Sequence, residues 1–251
     1  MARGRRRLGI SLLVLVVVLG GLLVAADRAG AWAAERTLTE KVSNEIREMK
    51  ISSAEPEVGV GGFPFLTQVV DGNYEDIHIV LRDVSRGGLV LPELDVHARD
   101  VKAELNTLMS GEGEVVARRI VGTATIGYAS IRALFDQPGI QLSEQGGKLR
   151  LRLPVDISGQ QLTAVATGQI TSAGGRVRLA VTDIRAEGLT LGSEAQALLD
   201  QYKRRLALEI ALPPLPFRLR VEGVQVRPEG LAVTASAQQV PLSGQATLPG
   251  Q

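Results

Sequence analysis

Cysteine is absent from this 251-residue chain, so neither a disulfide framework nor a thiolate metal site can form, and stability has to come from burial. Histidine is nearly absent: only His78 and His97 occur, and a histidine metal site or a Ser-His-Asp triad would have to use one of them. Both fall on the polar phase of alternating segments, where they read as solvated sheet-face residues. The chain contains no G-x-S-x-G, P-loop, H-E-x-x-H or G-x-G-x-x-G motif. The run Gly59-Val60-Gly61-Gly62 is too short and too apolar in context to cradle phosphate, and no carboxylate pair can be assigned to a shared cleft. The sequence therefore predicts no enzyme: no catalytic residue, no metal and no cofactor. Aromatic residues make up 3% of the chain, too few for base-stacking platforms, and no Lys/Arg stripe follows a phosphate backbone, which excludes nucleic acid as a partner.

Charge is balanced but unevenly placed. Residues 1–33 hold five arginines and one aspartate, and beyond them 23 basic side chains face 26 acidic ones. Arg3, Arg5, Arg6 and Arg7 precede an uncharged run from Leu8 to Ala26, closed by Asp27 and Arg28. Basic residues on one side keep that end in the cytoplasm. A run of 19 residues lies in the range of a spanning helix, about 17–25, and beyond the 7–15 of a signal-peptide core. Ala31-Trp32-Ala33 nevertheless has the form of an A-x-A cleavage site. An uncleaved signal anchor and a cleaved signal peptide both fit. The anchor is favoured because Asp27 and Arg28 separate the apolar run from that site, and both readings place the chain after Ala33 outside the membrane, on the envelope side. Without a lipobox cysteine, lipoprotein anchoring is excluded.

Three regions follow: residues 1–33 as a basic stub with its signal segment, residues 34–242 as one domain, and residues 243–251 as a polar tail. From Glu35 to Lys50, Leu38, Val42, Ile46 and Met49 recur at helical spacing and predict an amphipathic helix. Gly59 to Leu66 reads as a glycine-rich loop carrying Phe63 and Phe65. The period then changes to two: Tyr74–Val84 sets Ile77, Ile79 and Leu81 against Asp76, His78, Val80 and Arg82, and further strands follow at 94–105, 115–126, 149–157, 162–171, 177–181, 217–226 and 231–240. Gly146-Gly147 and Gly174-Gly175 fall where hairpin turns need positive φ. Shorter helices are predicted around Ser130–Asp136 and over Glu194–Ile210, the latter with Leu198, Leu199, Tyr202 and Leu206 on one face. The windows beginning at Ile77, Val177 and Leu219 share a strand–glycine–strand pattern with Gly88, Gly188 and Gly230 at one position; their unequal spacing argues for recurrent hairpins and against a solenoid.

The export segment, the early helix, GGFPFLTQ at Gly61–Gln68 and EGLAVTASA at Glu229–Ala237 together resemble the LmeA-like family of actinobacterial cell-envelope phospholipid-binding proteins, over about Glu35 to Leu242. GFPFLTQ, followed some ten residues on by an alternating strand, is the most specific piece. The resemblance implies an α+β, β-rich fold of the tubular lipid-binding (TULIP/SMP-like) kind, a long curved antiparallel sheet wrapped around helices with an aliphatic tunnel. It also implies phospholipid or a related envelope lipid as partner, with a non-enzymatic carrier role linked to lipoglycan assembly; no catalytic residue carries over.

Composition is compatible with that: 45% of the chain is hydrophobic and nearly all of it aliphatic, which suits acyl chains. The same residues would equally fill a solid core, giving a structural or protein-interaction β-domain of the envelope. Given the resemblance, the residues expected to meet lipid are Leu38, Val42, Ile46 and Met49 on the first helix, Leu198, Leu199, Tyr202 and Leu206 on the later one, and Phe63, Phe65 and Leu66 as a portal at the membrane or, equally, a core plug. Headgroup, protein partners and oligomeric state are not specified by the sequence.

Overall fold

The structure, a computed structural model, describes residues 2–86, 89–104, 106–107, 113–135, 138–157, 160–173, 176–188, 193–206, 208–211 and 219–242. It opens with one helix, α1, Ala2–Glu48, 47 residues long. Leu, Val, Ala, Arg and Glu dominate it and proline is absent, so nothing interrupts the backbone ladder between the apolar run and the amphipathic segment. The two segments separated in the sequence reading are thus a single helix. It ends where Lys50 adopts a left-handed φ of 55°.

Among the described residues, eleven antiparallel strands follow, in two sheets. The first takes β1 (Glu57–Gly61), β2 (Asn73–Arg86), β3 (Leu89–Lys102), β4 (Val116–Gly127), β10 (Arg220–Arg227) and β11 (Gly230–Pro241), in the order β1-β2-β3-β4-β11-β10. The second takes β5 (Gln141–Gln145), β6 (Lys148–Ile157), β7 (Gln160–Ala173), β8 (Arg176–Ala186) and β9 (Leu208–Ala211) in sequence order. The β-rich, antiparallel α+β fold expected from the period-two segments is present, with its strands divided between these sheets. Further helices among the described residues are α2 (Phe65–Asp71), α3 (Tyr128–Arg132) and α4 (Ser193–Leu206).

Several local expectations are corrected. Residues 59–61 of the expected glycine-rich loop belong to β1, because they pair in register with β2, Val60 opposite Ile77. Phe65 and Leu66 begin α2, which Gly72 closes in a left-handed conformation. The helix read as Glu194–Ile210 stops at Leu206, and Leu208–Ala211 turns into β9, with Ile210 opposite Val177. Its alternating Leu208 and Ile210 satisfy a free sheet edge, which overrides helix propensity. Strand β5, polar at every residue but Leu142, carried no apolar alternation to find. Gly146 and Gly147 do occupy positive φ between β5 and β6, whereas Gly88, Gly174-Gly175 and the tail from 243 lie outside the described residues.

The two sheets have separate cores. In the second, Leu149, Leu151, Leu153 and Val155 of β6 pack with Ala164, Ala166, Leu179 and Val181 beneath α4, which supplies Leu199 and Leu206. In the first, Tyr74, Val101, Ala117 and Val240 pack with Val60, Phe65 of α2 and Ala31 of α1.

Candidate functional site

Pairing in the first sheet sorts its residues into two faces of opposite character. One is mostly polar: it carries Asp76, His78 and Arg82 of β2, Glu93, Asp95, His97 and Arg99 of β3, Arg119 and Thr123 of β4, and Thr234, Ser236 and Gln238 of β11, with Val80, Val121 and Ala232 among them. These side chains are tied to one another: His78 Nε2 lies 3.1 Å from Asp95 Oδ1, His97 Nδ1 lies 3.0 Å from Asp76 Oδ2, Thr123 and Thr234 hydroxyls meet at 3.0 Å, and Arg82 pairs with Glu57. The two imidazoles stack at 3.9 Å with planes 7° apart. His78, Asp95 and His97 bring three ligand-type atoms near one another. An ion prefers to lie in the plane of each imidazole that binds it, however, and two nearly parallel planes at this spacing share no such point. His78 and His97 face each other as a half-buried cross-strand pair on the polar side of the sheet.

The opposite face is aliphatic throughout and changes from one end to the other. At its base, Tyr74, Val101, Ala117 and Val240 are neighbours across four strands, each at most 2% exposed. Just beyond this row, Asp100 of β3 and Gln239 of β11 both take left-handed φ, 50° and 51°, so both strands change direction at the same level, flanking Arg118 of β4. Past the bend the rows open. Ile77 and Ala98 are half-buried beside buried Ile120 and Ala237; Ile79 and Val96 are half-buried beside Gly122; and in the next row Leu81, Leu94, Ala124, Val233 and Val224 are all half-buried. No polar side chain interrupts these rows. The equivalent face of β6 in the second sheet has no such opening, since Leu149, Leu151, Leu153 and Val155 are at most 2% exposed in the core that α4 joins. One sheet has a sealed core; the other presents a half-exposed aliphatic trough, with α1 and α2 packed at its base and α1 running on beside β1. Where β10 meets the second sheet, Val224 and Val226 line a groove of about 550 Å³ with Gly168 and Ile170.

The residues singled out in the sequence go to different places. Leu38 of α1 packs on the base of the first core, Val42 is half-buried, Ile46 is buried and Met49 is exposed. Leu199 and Leu206 are fully buried in the second core, with Tyr202 packed against it; the side chain of Leu198 lies outside the described residues. Leu38 on the one helix face and Leu199, Tyr202 and Leu206 on the other thus fall in two different buried clusters. Phe65 is buried against Tyr74, ring centroids 6.4 Å apart, whereas Phe63 is 59% exposed and Leu66 is also exposed. Trough residues Ile79, Leu81, Leu94, Val96, Val224 and Val233 were missed as a site. Their signal, strict alternation, was read as a half-buried strand, and alternation does not tell a covered face from an open one.

The GFPFLTQ run is explained by the junction it builds. Gly62 has φ 91°, and a Cβ there would fall 2.6 Å from Gln68 Nε2. The buried Gln68 side chain donates to Gly61 O at 3.1 Å and accepts from the Glu75 N–H at 2.8 Å, joining β1, α2 and β2. Thr67 Oγ1 donates to Pro64 O at 2.8 Å. Asp27 of α1, 2% exposed, accepts the Leu66 N–H at 2.8 Å, capping the first turn of α2. Burial alone would raise its pKa; the hydrogen bond from Arg28 and the backbone N–H groups of Leu66 and Phe65 outweigh that and hold the carboxyl below the usual aspartate range.

The site is thus an antiparallel sheet with one largely polar face and one half-exposed aliphatic face, following a long N-terminal helix with an apolar first half. The chain belongs to the LmeA-like phospholipid-binding family, whose sequence model matches residues 25–236, and that membership supports lipid binding in general. No curated protein and no solved structure matches it.

Proposed function

We propose that this protein is a non-enzymatic binder or carrier of phospholipid that lays acyl chains along the aliphatic face of the first sheet, at the extracytoplasmic side of the membrane. The observation that carries this reading is the contrast between the two sheets: the same kind of aliphatic face is sealed under α4 in one and left half-exposed beyond the Asp100–Gln239 bend in the other. Exposed aliphatic rows on this scale are costly in water, while burial of an acyl chain gains about 0.8 kcal/mol per methylene. The half-exposed residues Ile77, Ile79 and Leu81 of β2 span about 13 Å at the usual strand rise, close to the roughly 15 Å that one leaflet contributes to a bilayer core, and buried Val84 closes the row. Strand curvature around a bound chain would give the enclosed, tunnel-like site implied by the resemblance, and delivery of such lipid is a route to supporting envelope lipid or lipoglycan assembly.

Extraction and mass spectrometry of organic-soluble material from the purified full chain, beside native mass spectra of the intact protein, tests this. A stoichiometric phospholipid that survives purification is expected. A protein that is empty and also fails to take fluorescent phospholipid from vesicles defeats the reading, and leaves a structural or protein-interaction domain, for which the sealed second sheet is the supporting observation.

A further inference from the structure

We infer that α1 is retained as a membrane anchor and that the α1–α2 junction is a collar seated in the outer-facing leaflet of the same membrane, with Trp32, Phe63, Leu66 and Val70 as its lipid-facing side chains. Three observations converge on this. First, residues on the anchor side of the Ala31-Trp32-Ala33 sequence are built into the folded domain: Asp27 caps α2, Ala31 lies in the core of the first sheet, and Gly30 brings α1 so close to α2 that a Cβ on it would stand 3.4 Å from Phe65 and 3.5 Å from Leu66. Cleavage after Ala33 would remove all three from the structure they hold together.

Second, α1 is continuous, so heights above the membrane follow from its geometry. Leu8–Ala26 spans about 28 Å at 1.5 Å per residue, matching a hydrocarbon core of about 30 Å. Arg28 then stands about 3 Å beyond the last apolar residue, inside a headgroup layer that extends about 5–7 Å past the core, and Trp32 about 9 Å beyond, at the outer edge of that layer. Arg28 lies over the Phe63 ring at 5.2 Å and Arg36 over the Trp32 ring at 5.7 Å, the placement of aromatic and basic residues that interfaces favour.

Third, the apolar side chains at this level point away from the core. Trp32, Phe63 and Leu66 are all exposed, and Val70 is 85% exposed although it sits on α2 beside buried Gln68. A protein partner would need its own complementary surface; a bilayer is already there, because the anchor is covalently continuous with the collar. The aliphatic trough then starts just above the leaflet, with its base fixed there by Asp27.

The chain has no cysteine and a single tryptophan, which makes the test direct. V70C and L134C, the latter at an exposed position after α3 and near the far end of β4, are each labelled with a nitroxide in the full chain reconstituted into phosphatidylcholine–phosphatidylglycerol vesicles. Relaxation of the position-70 label by lipid-dissolved oxygen, loss of its collisions with an aqueous nickel chelate, and the reverse at position 134 are expected, as is quenching of Trp32 by brominated lipid. Equal access of nickel to both labels overturns the collar, whether water or a protein covers α2. An N-terminus at Ala34 in protein isolated from membranes overturns the retained anchor. A seated collar on a protein whose trough carries no lipid would leave this inference standing and defeat the acyl-chain reading instead.

Discussion

Asp27 and Leu66, 39 positions apart, meet through a 2.8 Å hydrogen bond from the Leu66 N–H to a carboxylate that is almost wholly buried. This contact fixes the first turn of α2 on the helix that leads to the membrane, and its strength depends on the charge of Asp27. Because the folded carboxyl is held below its ordinary value of about 3.9, the ionised form favours the folded junction. That stabilisation is complete above the unfolded pKa and is lost as pH falls through the folded one. Protease sensitivity of residues 61–72 in the full chain in micelles is expected to rise below about pH 4. Asp27→Asn is expected to show that sensitivity already at pH 7 and to remove the pH dependence; an unchanged acid profile would show that the cap contributes nothing.

Leu81 and Leu151 occupy comparable strand positions under different cover. Leu151→Ala, at a fully buried position, is expected to cost about 2–5 kcal/mol of stability. Leu81→Ser and Val96→Ser, in the half-buried trough, are expected to lower the melting temperature less while reducing uptake of fluorescent phospholipid from vesicles. Normal uptake by a well-folded double variant would remove the trough as the lipid site.

Tyr74 is buried in the base of the first sheet, burial pushes its phenol pKa up, and its hydroxyl has no hydrogen-bond partner among the described residues. An unpaired buried hydroxyl costs about 1–3 kcal/mol. Tyr74→Phe keeps the ring contact with Phe65 and removes that cost, so thermal melts are expected to stay level or rise. A clear drop would mean that the hydroxyl is satisfied in solution.

Tyr128 behaves differently, because its hydroxyl donates to the Arg227 carbonyl at 2.6 Å. Burial first, then the nearby Glu144 and Glu229, push its pKa up to about 12. The neutral phenol is the form the fold favours, so its contribution is complete below the unfolded value near 10 and declines as pH rises from there towards 12. Chemical denaturation of wild type is expected to weaken across that window, and Tyr128→Phe to be less stable at pH 8 by about 1 kcal/mol with a flatter alkaline limb.

The period-two alternation at Ile77-Ile79-Leu81 and Leu94-Val96-Ala98 correctly placed strands and told inside from outside, because a strand's side chains alternate whatever it packs against. The same physics put His78 and His97 on the polar face. The GFPFLTQ run carried the family resemblance, yet its role was hidden: Phe65 and Phe63, two residues apart, differ in burial only because Asp27 and Gly30 bring α1 against one side of that turn. The helix at 194–206 was legible from its apolar stripe, whereas its end was not, since Leu208 and Ile210 suit a helix or an edge strand and the vacancy beside β8 decides between them.

The sequence by itself determined a cysteine-free, aliphatic, strand-rich chain behind a basic and apolar N-terminal segment, because composition and period are local properties of the chain. Only tertiary structure decided which aliphatic face α4 would seal and which would stay open beyond Asp100 and Gln239. Cover is supplied by residues distant in sequence, and a one-dimensional pattern records that a side chain is apolar but not what stands opposite it.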